Sequence, residues 1–79
     1  MTAVQFKEKN MRCKFKLLEK KETENGTALL FNVTNDKDNE DYFKFTPWGN
    51  INIGLVNKET ATNFIPGKNY YVDFIDADN

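Results

Sequence analysis

Residues 11–35 read as two alternating strands joined by a tight turn, and this hairpin constrains the fold more than any other part of the chain. Met11, Cys13, Phe15 and Leu17 fall on one face of residues 11–17, and Arg12, Lys14 and Lys16 on the other. Successive side chains of an extended chain point to opposite faces, so this period of two marks a strand buried on one side. A helix would scatter the three cations around its cylinder and leave no clean apolar stripe. Glu24-Asn25-Gly26-Thr27 supplies the Asn-Gly pair that accepts the positive φ values of a tight hairpin. Beyond it, residues 28–35 place Leu29, Phe31 and Val33 on one face and Asn32 and Thr34 on the other.

The remaining chain extends this pattern. Residues 35–41 hold no apolar side chain and read as a solvated acidic loop. An aromatic strand or strand edge is expected at 42–45, followed by a turn at Thr46-Pro47-Trp48-Gly49. Alternation returns at 50–56, with Ile51, Ile53 and Leu55 inward and Asn50, Asn52 and Gly54 outward. Asn57 can cap a short helix over 58–64, where Glu59 suits the positive N-terminal end. Ile65-Pro66-Gly67-Lys68 is a turn, residues 69–75 form the last strand, and 76–79 are expected to fray. Residues 1–10 read as either a short strand around 4–7 or a loose arm. Short sequential turns favour antiparallel neighbours. The expected fold is one mostly β domain over 1–79: a small antiparallel barrel or strongly curved sheet of about five to six strands, with one short helix before the last strand.

Composition narrows the chemistry. The chain has 79 residues, seven Phe, three Tyr and one Trp, so aromatic rings must supply much of the core. A core of this size yields only about 3–5 kcal/mol, which points to a homo-oligomer. Ser and His are both absent, so no serine triad can form, and Cys13 has no imidazole partner. The same lack of His, with a single Cys, excludes the usual zinc sites. An EF-hand count from Asp36 puts Pro47 where the bidentate Glu belongs, so no metal or other cofactor is expected. No Gly-rich phosphate loop or dinucleotide fingerprint occurs, and the chain does not read as an enzyme. No apolar run marks a signal peptide or a membrane span, so a cytoplasmic protein is expected.

Binding is the better-supported class. Net charge is −1, which disfavours a general nucleic-acid coat, yet residues 7–21 carry a local +5 and residues 36–41 a local −3. A basic strand on a near-neutral chain suits a small anion better than a long polyanion. Arg12, Lys14 and Lys16 project from one strand face at steps of about 6–7 Å. Lys44 lies among Tyr42, Phe43, Phe45 and Trp48, and cations beside flat rings can hold a nucleotide through phosphate and base. Asn32, Thr34, Asn50 and Asn52 offer hydrogen bonds on adjoining strands, and Tyr71 and Asp73 can complete that surface. The plainer alternatives are that the cation stripe only keeps a strand solvated, and that Phe43 and Phe45 are core residues.

Three segments carry a family resemblance: Met11-Arg12-Cys13-Lys14-Phe15-Lys16, Phe43-Lys44-Phe45-Thr46-Pro47-Trp48-Gly49-Asn50-Ile51, and Phe64-Ile65-Pro66-Gly67-Lys68-Asn69-Tyr70-Tyr71-Val72-Asp73-Phe74. With their spacing, the chain resembles a widespread family of small proteins encoded by tailed bacteriophages. It departs from that pattern at Trp48, where a small residue is expected. The resemblance implies evasion of bacterial immunity in the host cell cytoplasm by an anti-CBASS sponge. Such a protein sequesters cyclic oligonucleotides uncleaved, as an oligomer with ligand at or near subunit interfaces. On that basis Arg12, Lys14 and Lys44 are expected to meet phosphates, and Trp48 or Phe45 to stack a base, with Tyr71 among the nucleotide-binding residues. Thr46 and Asn32 are expected to read base edges or ribose hydroxyls. The rivals are a single-stranded nucleic-acid binder of small-barrel type and a structural or accessory phage protein making only protein contacts.

Overall fold

A computed structural model describes residues 11–77, apart from the side chain of Leu55. Four strands and two short helices follow in the order β1 (Met11–Thr23), β2 (Gly26–Val33), α1 (Lys37–Glu40), β3 (Asn50–Val56), α2 (Lys58–Ala61) and β4 (Asn69–Phe74). They form one antiparallel sheet ordered β3-β2-β1-β4, with the expected hairpin at its centre. Among the described residues no helix is long and apolar enough to cross a membrane.

The hairpin turn sits one residue earlier than the Asn-Gly pair suggests. Thr23 pairs with Gly26, so Glu24 and Asn25 span the gap and Gly26 opens β2 at φ +146°. The Thr23 hydroxyl donates to the Gly26 carbonyl at 2.8 Å and accepts from the Asn25 N–H at 3.1 Å. That closes the turn with a side chain.

The apolar positions converge as their alternation requires. Cys13, Phe15, Leu17, Leu29, Phe31 and Val33 form one buried cluster, flanked by Met11, Phe43, Ile51, Val56, Phe64, Tyr70 and Val72. Burying a side chain such as Leu17 or Leu29 contributes about 1.5–3 kcal/mol. Phe31, Phe64 and Tyr70 pack as a ring triad, with centroids 5.3–6.0 Å apart. The Tyr70 hydroxyl accepts from the Ile65 N–H at 2.8 Å, fixing the turn before β4. That turn docks on β1, where the Gly67 N–H donates to the Leu17 carbonyl at 2.8 Å. Gly67 has φ +91°, a conformation that disfavours a side chain.

Two irregularities redirect side chains. Leu17 pairs with Phe31 but Glu19 with Leu30, so Leu18 is an extra residue in β1. The slip turns Lys20 to the core face opposite Leu29, and its ammonium donates to the Phe64 carbonyl at 3.0 Å. In β3 a second slip lets Ile53 pair with Leu29 and Val56 with Thr27.

Three expectations need correction. Among the described residues the sheet has four strands, fewer than five or six, and does not close into a barrel: β3 and β4 are its edges, because so few strands cannot complete a ring. Residues 42–45 form no strand. Pro47 offers no N–H, and Phe43 alone of that aromatic run packs against the core while Phe45 is 80% exposed. Residues 35–41 are not simply a solvated loop, since they contain α1 and the fully buried Asn39. The short helix before the last strand is present as α2, capped by Asn57, whose side chain accepts from the Thr60 N–H at 2.8 Å. The first strand or loose arm expected over 1–10, and the last residues of the tail, 78–79, lie outside the described residues.

Candidate functional site

The face of the sheet opposite the core presents polar side chains in rows. Across one row the backbone partners are Asn69, Lys16, Asn32 and Asn50, one from each strand, all exposed. The next positions pair Lys14 with Tyr71 and Arg12 with Asp73. Neighbouring strands lie about 4.8 Å apart, so each pair brings its side chains into direct reach.

Arg12 and Asp73 form a bidentate pair, Nε to Oδ1 at 2.6 Å and Nη2 to Oδ2 at 3.0 Å. The guanidinium lies 5.6 Å from the centre of the Tyr71 ring, and the Lys14 ammonium 5.8 Å from the same centre. Tyr71 is therefore flanked by two cations. Lys14 Nζ is 2.8 Å from Asp38 Oδ2 and 3.3 Å from Asp36 Oδ2, and the Tyr71 hydroxyl donates to Asp38 Oδ2 at 2.8 Å.

Hydrogen bonding to Lys14, then to Tyr71, holds the Asp38 carboxyl below its ordinary range, and Arg12 does the same for Asp73. The Tyr71 phenol is pushed up by its bond to the Asp38 carboxylate. With two cations and three carboxylates the cluster is close to electrically balanced.

Local chain geometry puts the carboxylates there. Asp36 caps α1 by accepting from the Asp38 N–H at 3.0 Å, which directs its second oxygen toward Lys14 and the Thr34 hydroxyl. Just past the end of β2 the Thr34 N–H still donates to the Lys14 carbonyl at 3.0 Å, but the return bond from the Lys14 N–H to the Thr34 carbonyl is not made, and the Asn39 amide bridges that gap. Its Oδ1 accepts from the Lys14 N–H at 2.7 Å, and its Nδ2 donates to the Lys14 and Thr34 carbonyls at 3.0 and 2.7 Å. The acidic segment is thereby pinned to the basic strand.

Arg12, Lys14 and Tyr71 come together as the sequence suggested, with Asn32 on the neighbouring row. Lys44, Phe45, Thr46 and Trp48 lie on the segment between α1 and β3. The Lys44 ammonium is 5.8 Å from the Phe45 ring centre, and Phe45 and Trp48 are 80% and 84% exposed. No hydrogen bond or ring contact among the described residues joins these four to Arg12 or Lys14.

Asp36, Asp38 and Asn39 are the residues that the sequence reading missed. The available signal was a segment of local −3 in a short chain whose first strand carries local +5.

The core face has its own concavity, an open groove of about 410 Å³ lined mainly by Phe31, Ile51, Ile53, Phe64, Tyr70 and Val72. Cys13 is 1% exposed, and burial pushes its thiol up, away from the nucleophilic thiolate. Among the described residues no group of three or more Cys, Asp or Glu side chains is disposed to hold a metal ion. Compared with protein-family models, with curated proteins and with solved structures, the chain finds no match.

Proposed function

We propose that this protein binds cyclic oligonucleotides and sequesters them without cleavage, as a phage immune-evasion sponge acting in the host cell cytoplasm. The observation that carries the reading is the pair of cations flanking one ring on the open sheet face, Arg12 and Lys14 at 5.6 and 5.8 Å from Tyr71. A cyclic dinucleotide carries two phosphodiesters on a compact ring, which two cations on one strand face, two residues and about 6–7 Å apart, can meet. Asn32 and Lys16 extend the same face toward ribose and base edges. Phe45 and Trp48, uncovered beside Lys44, supply stacking faces for a ligand held where subunits of an oligomer meet. Sequestration needs affinity and abundance only, and a nanomolar site requires about −12 kcal/mol.

Isothermal titration against a panel of cyclic di- and trinucleotides, with recovery of the ligand after heat denaturation, tests this. A bound and intact ligand is expected. Arg12→Ala and Lys14→Ala should each weaken binding by about tenfold to a hundredfold while the protein stays folded. Absence of any binding tighter than about 10 µM removes the reading, and recovery of a hydrolysed product makes the protein an enzyme instead.

A further inference from the structure

We propose that Asp36 and Asp38 act as an internal competitor for the phosphate seat at Lys14, so that an anionic ligand binds by exchanging its phosphate oxygens for these carboxylates, an inference that rests on the cyclic-nucleotide reading above. The two cations of the site differ in access. The Arg12 side chain is 60% exposed and pairs with one carboxylate on its own sheet. Lys14 is only 21% exposed, and its ammonium is held by two carboxylates at 2.8 and 3.3 Å. The shorter, to Asp38, is the distance that a charge-assisted bond to phosphate takes, and the longer, to Asp36, is an ion-pair contact. With this little open surface, a phosphate oxygen reaches Lys14 only by replacing an aspartate.

The exchange requires no unfolding. Asn39 ties the segment to the Lys14 backbone through both its oxygen and its nitrogen, independently of the charges. Asp36 can keep its capping bond through Oδ1 while Oδ2 leaves Lys14. Rotation of the Asp38 side chain frees the Tyr71 hydroxyl together with Lys14. A released Tyr71 then offers a donor as well as a ring between the freed Lys14 and Arg12, which keeps its pair with Asp73. Until a competing anion arrives, the site presents a balanced surface that a weak or singly charged anion cannot open.

Substitution of both aspartates by their amides keeps the geometry and removes the charge. In D36N the cap persists, because Asn caps as well as Asp. In D38N the side-chain oxygen can still accept from Tyr71. The control is E40Q/D41N, with the same charge change in the same segment but no side-chain contact to Lys14.

Each protein is titrated calorimetrically with the same cyclic di- and trinucleotide panel at a series of salt concentrations. D36N/D38N should bind about tenfold tighter than wild type. Its affinity should fall more steeply with salt, because in wild type salt weakens the internal pair along with the ligand. The control should change by less than about twofold. If wild type binds and D36N/D38N binds no tighter than the control, the internal competitor is refuted and the sponge reading stands. If none of the proteins binds any member of the panel, both fall.

Discussion

The two faces of the sheet are built from the same strands by opposite rules. The core face gathers Cys13, Phe15, Leu17, Leu29, Phe31 and Val33, whose contacts are non-directional and whose contribution scales with the area removed from water. The opposite face gathers Arg12, Lys14, Tyr71 and Asp73, linked by directed, charge-assisted bonds in a solvated setting. One face therefore holds the fold together and contributes little selectivity. The other adds little to stability, since exposed ion pairs are weak, yet it fixes the orientation of Arg12, Lys14 and Asp73.

Substitutions that cross this division should break it in graded fashion. Leu17→Ala, at the fully buried centre of the core face, should cost about 3–5 kcal/mol and produce the largest drop in urea midpoint. A near-wild-type midpoint would show that the core lies elsewhere. Asn39→Ala should cost about 2–3 kcal/mol, because it leaves the Lys14 N–H and the Thr34 carbonyl without their partner. It should also release the acidic segment, measurable as faster amide hydrogen exchange at residues 36–41 with the β1–β2 hairpin still protected. Uniform exchange across both would mean that the segment and the sheet unfold as one unit.

Thr27→Val should act in the opposite direction. The Thr27 hydroxyl is buried and has no hydrogen-bond partner among the described residues, and an isosteric methyl in its place should raise stability by about 1 kcal/mol, read as a higher midpoint. The smallest effect is that of pH. Asp38 and Asp73 have depressed carboxyl values, so their contribution is present above the ordinary value of 3.8 and is lost as pH falls through the lower folded values. Urea midpoints followed into strong acid should decline there in wild type, and less so in a D38N/D73N variant. Identical acid profiles would remove these two pairs from the stability of the fold.

Much of the sheet was legible in the chain because alternation is a local property. The faces of β1 up to Leu17 and of β2 from Leu29 follow from their sequence, whereas the slip at Leu18 that turns Lys20 to the core does not, and the capping of α2 follows from Asn57. The segment between β2 and β3 was not legible, because its partner is remote: Asn39 lies 25 positions from the backbone it bonds. A polar run carries no period to indicate which of its members will be buried. Phe43 and Phe45 illustrate the same limit, since two rings with equal spacing and chemistry are separated only by what the folded chain places over each. The site was half legible. Arg12, Lys14 and Tyr71 stood out by type and by strand face, while Asp36 and Asp38 read as solvent-facing loop.

By itself the sequence determined which side chains of residues 11–17 share a face, that the chain turns near Asn25-Gly26 to within one residue, and that Arg12 and Lys14 point away from the core, because these depend on backbone geometry over a few residues. Only the tertiary structure decided that the sheet of the described residues stays open at four strands, that Lys14 is held by two aspartates, and that a buried asparagine amide bridges the Lys14 N–H and the Thr34 carbonyl. Those outcomes depend on contacts between segments far apart in the chain, where pairing and desolvation are settled only once the whole sheet has formed.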